Sequence, residues 1–172
     1  MTIDTAKLED VFDQLIQLLV SRSSWLDWML VKALIKAESD FNPLAVSPVG
    51  ARGLCQIMPA SDKWANNQID GFDIYGNIKD AVTLLTRFYN HQVQRGLISP
   101  DLEAFTLASY NAGPGNIDKA RSLAQMANAN VNTWRTVAPF LQDVTGKKSQ
   151  ETLDYVERVM KFYNEYKGLE AA

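Results

Sequence analysis

From Leu8 onward, apolar residues at Val11, Phe12, Leu15 and Leu19 recur every three or four positions, which predicts an amphipathic helix. The polar cluster Ser21 to Ser24 breaks it. Ser24-Trp25-Leu26-Asp27 has the Ser-x-x-acid form of a helix start, so a second helix is expected from about Trp25 to Glu38. Asn42-Pro43 and Ser47-Pro48 then impose extended or turn backbone, and Gly50 and Gly53 permit positive φ. Residues 40 to 54 therefore read as loop or short strand, and any small sheet belongs there. After Pro59, a good first-turn residue, the stretch ASDKWANN predicts a short helix.

A stronger helix is expected over Asn77 to Arg95, where Ile78, Ala81, Leu84, Leu85, Phe88 and Tyr89 share one face and Gly96 stands at the C-terminal cap. Asp101 to Asn111 repeats the pattern with Leu102, Phe105, Leu107 and Ala108, and Gly113-Pro114-Gly115 ends it. The stretch AQMANANVNT is small, polar and weakly periodic. From Ser149 to Lys167 the stripe returns with Leu153, Val156, Val159, Met160 and Tyr163. The fold class is mainly α with a small loop or β element after the second helix, without βαβ rhythm or repeat.

Composition narrows the function classes. At 172 residues the chain fits one domain, 1–172, in which residues 1–24 form an N-terminal helical segment. The contents of 47% hydrophobic and 22% charged residues are those of a globular protein. A net charge of -3 builds no basic field, so nucleic acid is not an expected partner. Cys55 is the sole cysteine and His91 the sole histidine, which excludes an internal disulfide and leaves little for a protein-only zinc site. No metal and no cofactor are expected. No apolar run approaches the roughly 20 residues of a membrane span, and the N-terminus lacks the form of a signal peptide.

Glu38 is the carboxylate whose position calls for comment. Counting back by helical steps reaches Ile35, Leu34 and Val31, so Glu38 extends the apolar stripe, opposite the polar face carrying Lys32 and Lys36. Near the end of its helix it also meets the negative end of the macrodipole. Burial and dipole both disfavour its charged form, as a general acid requires. The bland alternative is a helix-terminal glutamate in a solvated junction, since perturbed carboxylates also arise for structural reasons.

The residues that follow carry a resemblance. Glu38 through Pro59 fill Glu-Ser-x-Phe-x-Pro-x-Ala-x-Ser-x-x-Gly-Ala-x-Gly-Leu-x-Gln-x-Met-Pro without gaps, which resembles the signature of the soluble lytic transglycosylase domain, a relative of goose-type lysozyme. Ala108 to Gly115 is similar to the A-x-Y-N-x-G element of that family. Asn77-Ile78 with Ala81 and Leu84-Leu85 is similar to its N-I-x-x-G-x-x-Y-L helix, and Glu151 to Val156 to its E-T-x-x-Y-V block. The likeness covers about residues 25–166 and implies a lysozyme-like α+β core.

It also implies cleavage of the β-1,4 bond between N-acetylmuramic acid and N-acetylglucosamine in peptidoglycan, with formation of 1,6-anhydromuramic acid. Glu38 matches the catalytic glutamate, first acid and then base. The muramoyl 6-hydroxyl is the nucleophile, so the second carboxylate of most glycosidases is not needed. Ser47, Gln56 and Met58 match groove positions, Ser and Gln hydrogen-bonding sugar and Met packing on a ring. Tyr110 and Asn111 match the pair near the glutamate, and Tyr155 matches a tyrosine close to the acid. Taken alone, Met58 reads equally as a core-packing residue, and Tyr110 reads as a helix core residue. Gly50 and Gly53 are structural, Cys55 is a packed thiol, Asp40 a loop or capping residue, and His91 a solvated one beside Asn90 and Gln92.

Departures from the family pattern are Ala81 for glycine, Leu84 for tyrosine, Arg135 near an expected acidic position, and a longer segment at residues 141–150. Two other readings stand beside the lyase. A lysozyme-type hydrolase would need a second carboxylate, with Asp62, Asp70, Asp73 and Asp101 as candidates. A non-catalytic peptidoglycan-binding module would need none. The partner in every case is the glycan strand and the protein a monomer. Action in the periplasm or cell wall without a leader implies phage delivery, specialised export, or a leader removed.

Overall fold

The computed structural model describes residues 9–59, 70–98 and 100–170. The short helix expected after Pro59 lies outside the described residues. The helices are α1 (Asp13–Val20), α2 (Trp28–Ser39), α3 (Ile74–Gln94), α4 (Leu102–Ala112), α5 (Pro114–Met126), α6 (Trp134–Val137), α7 (Leu141–Thr145) and α8 (Lys148–Glu170). Among the described residues there is no extended strand, only two isolated antiparallel bridges, Val46 with Arg52 and Arg52 with Ile57. They fall in and beside the segment where a small β element was expected, and the mainly helical class holds.

The chain groups into two compact units, residues 1–84 with 159–172, and residues 85–158. In the first, α2 is the central element. Met29 to Ile35 are all buried, so the helix is covered around its circumference rather than along one stripe. Phe12 and Ile16 from the N-terminal segment, Ile78 and Ala81 from α3, and Val159 and Tyr163 from α8 are buried in the same unit.

The start of α2 differs from the sequence expectation. Asp27, not Ser24, is the N-cap: its backbone is extended (φ -73°, ψ 132°) and its Oδ1 accepts from Met29 N at 3.0 Å. The second oxygen of Asp27 accepts from the Tyr163 hydroxyl at 2.9 Å. A carboxylate at that position satisfies an orphan helix donor and a partner on α8 together, which Ser24 does not.

The polar face of α2 is also not solvated. Lys32 is only 6% exposed; its Nζ donates to Asp10 at 3.1 Å and Asp13 at 2.9 Å and lies over the rings of Trp28 and Tyr166, at 5.8 and 5.2 Å. Lys36 pairs with Glu9 and with Asp40, the latter at 2.7 Å. Hydrogen bonds that Lys36 donates to Asp40 and then to Glu9 raise its amine, whereas burial is the leading cause that raises Asp13. A long cationic side chain can pack its stem against apolar surface and keep its head on carboxylates.

In the second unit, α4 ends at Ala112, Gly113 takes φ 86°, and Pro114 opens α5 as its first residue. The glycine-proline stop was expected, but the helix that follows it was not. Its buried residues are Ile117 and the small Ala120 and Ala124, which together print only a weak stripe. Residues 141–150, the longer segment, form α7 and the first turn of α8, with Gly146 at φ 60° between and Ser149 Oγ donating to Gln142 Oε1 at 2.7 Å.

The ion-pair seam predicts a measurable stability term. Lys32→Ala leaves Asp13 without its cation and is expected to lower unfolding free energy by about 2 kcal/mol, less than a fully buried pair because Asp10 stays exposed. Urea denaturation should show the midpoint falling at unchanged slope, and Lys32→Met, which keeps the stem, should lose less.

Candidate active site

Glu38 is the penultimate residue of α2 and is half-buried. The chain reverses directly after it. Asp40 (φ 51°) and Phe41 (φ 60°) both occupy the left-handed region, a costly arrangement of about 1–3 kcal/mol each for residues other than glycine. Phe41 holds the reversal in place: it is fully buried and stacks on Phe12 with centroids 6.4 Å apart. Asp40 is the C-cap, its N donating to Lys36 O at 3.1 Å. Ser39, which sequence reasoning passed over inside its own motif, donates its hydroxyl to Leu54 O at 2.8 Å and so ties the helix end beside Glu38 to the loop.

That loop is bonded to itself throughout. Ser47 N donates to Ala51 O at 2.9 Å and its Oγ accepts from Ala51 N at 3.0 Å. Arg52 and Ile57 exchange backbone bonds at 3.1 and 3.0 Å. Gln56, at φ 49°, donates its side-chain nitrogen to Gly53 O at 2.9 Å and Ala45 O at 3.2 Å. Ser47 and Gln56, predicted as sugar contacts, are thus also the loop's own fasteners. Met58 is exposed, together with Leu44, Val46 and Val49, so a rigid loop presents apolar side chains to solvent.

Asn77, on α3, organises the loop from below. It is buried; its Oδ1 accepts from Cys55 N at 2.8 Å and its Nδ2 donates to Arg52 O and Gly71 O, each at 3.0 Å. Gly53 fits against it only as glycine, for φ is 74° and a Cβ would stand 2.7 Å from Asn77 Nδ2. Asn77 belonged to a recognised motif without a role; the available signal was its position on the apolar stripe of its helix, four residues before Ala81 and seven before Leu84. Asp80, one turn on and 3% exposed, is a buried carboxylate that sequence reasoning did not single out.

Cys55 is fully buried, in keeping with a packed thiol. Burial, and after it the charges of Glu38 and Asp80, push its thiol well above the ordinary value. Both carboxylates therefore act on one side chain at the base of the loop.

In the second unit, Tyr110 and Asn111 lie near the end of α4, with Tyr110 edge-on to Phe88 at 6.5 Å. Asn111 Oδ1 accepts from the hydroxyl of Thr152 at 2.7 Å, and Tyr155, buried, follows Thr152 by three residues on α8. The structure thus places Asn111 and the helix carrying Tyr155 in direct contact. His91 is partly exposed but engaged: its Nε2 lies 2.9 Å from Asp118 Oδ2, and the neighbouring Gln92 is fully buried on Ser109.

Residues 21–132, more than half of the chain, match the family model described as the transglycosylase SLT domain. The chain belongs to that family. The SLT match ends before the Glu151–Val156 block. This SLT chain is 29% identical over 158 residues to the membrane-bound lytic murein transglycosylase F of Marinobacter nauticus, covering 84% of this chain and 30% of that protein. To the protein of the same description from Photobacterium profundum it is 31% identical over 163 residues, 87% of this chain and 31% of the relative. It therefore spans about a third of the length of these relatives. The crystal structure of the 70 kDa soluble lytic transglycosylase of Escherichia coli superposes with a TM-score of 0.69 over 92% of this chain and 24% of that one, at 24% identity, which establishes the fold.

Two outcomes follow from the site's geometry. Asn77→Ala removes three hydrogen bonds and leaves the buried Cys55 N–H unpaired, while Arg52 O keeps its bond from Ile57 N, so chemical denaturation should show a loss of about 2 kcal/mol. Because the folded thiol of Cys55 ionises only well above its ordinary pKa, the unfolded chain loses its proton first as pH rises, and stability falls above about pH 9.0. Cys55→Ala should flatten that decline, and native Cys55 should resist a thiol reagent that modifies the denatured chain fully.

Proposed function

We propose that this domain is a peptidoglycan lytic transglycosylase that cleaves the bond between N-acetylmuramic acid and N-acetylglucosamine. The observation that carries the reading is the setting of Glu38: a half-buried carboxyl at the end of a buried helix, fixed by the Phe41 reversal and the Ser39 bond to the loop, in a chain of the SLT family. The relatives' description as lytic murein transglycosylases supports it.

In this mechanism the Glu38 carboxyl gives its proton to the glycosidic oxygen as the bond to C1 breaks. The resulting carboxylate takes the proton of the muramoyl 6-hydroxyl, whose oxygen closes on C1. Glu38 is restored, no water is consumed, and the products are a free 4-hydroxyl on N-acetylglucosamine and a 1,6-anhydro ring. Leu44, Val49 and Met58 offer apolar surface to the faces of sugar rings, while the Ser47 hydroxyl and Gln56 amide meet acetamido and hydroxyl groups. Tyr110, Asn111 and Tyr155 are the further residues assigned to substrate binding in this reading. The enzyme acts as a monomer on glycan strands in the periplasm or cell wall.

Three of the four carboxylates considered for a hydrolase each accept a backbone hydrogen bond. Asp70 accepts from Phe72 N at 3.3 Å, Asp73 from Gly76 N at 2.8 Å and Asp101 from Trp134 N at 2.8 Å, while Asp62 lies outside the described residues.

Mass spectrometry of digested sacculi tests the proposal. Anhydromuramoyl products are expected, and Glu38→Gln should cut their rate by about 10²–10⁴-fold with the fold intact by circular dichroism. Products carrying only reducing ends would establish a hydrolase, and wall release unchanged in the variant would establish a binding module.

A further inference from the structure

In the second unit, Arg95, Asp118, Arg121, Ser122, Gln125 and Val131 line a cavity of about 150 Å³ between the end of α3 and the outer side of α5. It adjoins a wider one of about 520 Å³ that shares Arg95, Asp118 and Ser122 and reaches Lys119 and Asp143. The smaller space exceeds the roughly 30 Å³ of one water several times over.

Arg121 is the unusual member. Its Nε donates to Val131 O at 3.2 Å and its Nη1 to Gln92 Oε1 at a long 3.4 Å, and among the described residues it makes no ion pair. Its guanidinium lies 5.8 Å from the ring of buried Phe105, which is edge-on to Trp134 at 5.4 Å, so the cation has a fixed apolar backing. Burial lowers its pKa from the ordinary value, opposed by Asp118 and joined by Arg95. An arginine has five donors in a planar fork and stays charged, so partial desolvation with two neutral acceptors leaves it short of an anion.

Asp118 does not supply that anion. One of its oxygens accepts from Arg95 Nη2 at 3.0 Å and meets His91 Nε2 at 2.9 Å, and the other is buried without a hydrogen-bond partner. Across both cavities Arg95, Lys119 and Arg121 face Asp118 and Asp143, three positive against two negative charges on a chain of net charge -3. A fork-shaped donor on a rigid backing, with neutral Ser122 and Gln125 beside it, suits a planar carboxylate.

We propose that this cavity binds a carboxylate carried by the peptide stems of peptidoglycan, with Arg121 as its bidentate partner and Arg95 and Lys119 at the rim. The choice of a peptide stem rests on the transglycosylase reading; the carboxylate chemistry does not. The site adds recognition of the peptide to cleavage of the glycan.

The test titrates the full chain with a synthetic Ala-γ-D-Glu-Lys-D-Ala tetrapeptide, its carboxyls free or all amidated, and with inorganic phosphate, following by NMR the backbone amide signals of residues 118–125 in every variant and, where Arg121 is present, its Nε–H signal. Saturable shifts are expected with the free acid, weakened about tenfold by amidation or by Arg121→Gln. Arg95→Gln and Lys119→Gln, at exposed positions, should each weaken binding severalfold, which decides the matter if Arg121→Gln does not fold. No saturable shift, equal binding of the amidated peptide, or phosphate binding as tightly as the peptide would overturn the inference. Glu38→Gln should bind the peptide normally. Binding without cleavage by the unaltered chain would defeat only the enzymatic reading, and cleavage without peptide binding only this one.

Discussion

The amide of Asn77 is the constraint on which the loop beside Glu38 depends. Its oxygen and nitrogen meet three backbone groups that belong to no regular element, the buried N–H of Cys55 and the part-buried carbonyls of Arg52 and Gly71. Buried backbone without a partner is costly, so a loop can lie under a surface only if some side chain completes it. A donor and an acceptor on one planar group do that, and Gly53 lets the backbone come close enough for the contact. The bridges about Arg52, the Ser47 turn and the Gln56 amide then fix the remainder. What results is a loop without strands that has nonetheless little freedom.

Much of this was legible in the chain. The stripe ending in Glu38, the Pro and Gly breaks after it, and the amphipathic segments that became α3, α4 and α8 are local signals, and local signals survive folding. Three features were not legible, each for a physical reason. The true cap of α2 is Asp27 because a second partner, Tyr163, lies more than a hundred residues away. The α5 helix buries mainly alanines, which pack closely without a strong apolar signal. Lys32, His91 and Gln92 read as polar and therefore exposed, whereas each is partnered by residues distant in sequence. Periodicity reports which side chains avoid water, not which polar ones have found company.

Net charge illustrates the same limit. An overall balance of -3 argues against a basic field over the whole surface, yet it does not locate the cations. Lys32 and Lys36 are engaged with carboxylates and rings in the first unit. Arg121 in the second is held by a carbonyl, an amide and an aromatic face. The three are therefore chemically different: the lysines complete an interior seam, and the arginine retains donors. Counting residues treats them alike, and only the partners separate a structural cation from one that can still receive an anion.

The arrangement around Glu38 also bears on how one carboxyl could serve twice. A group that gives a proton and then recovers another must stay in one place while its charge changes, since a side chain that relaxed toward new partners in its anionic form would lose alignment with the second proton. Here the constraints act on the backbone rather than on the carboxyl: Phe41 is buried beyond the reversal, Ser39 is bonded to Leu54, and Asp40 caps the helix. None of these interactions depends on the protonation state of Glu38. Positional rigidity is thereby uncoupled from charge, which is what a single residue acting as acid and base in turn requires.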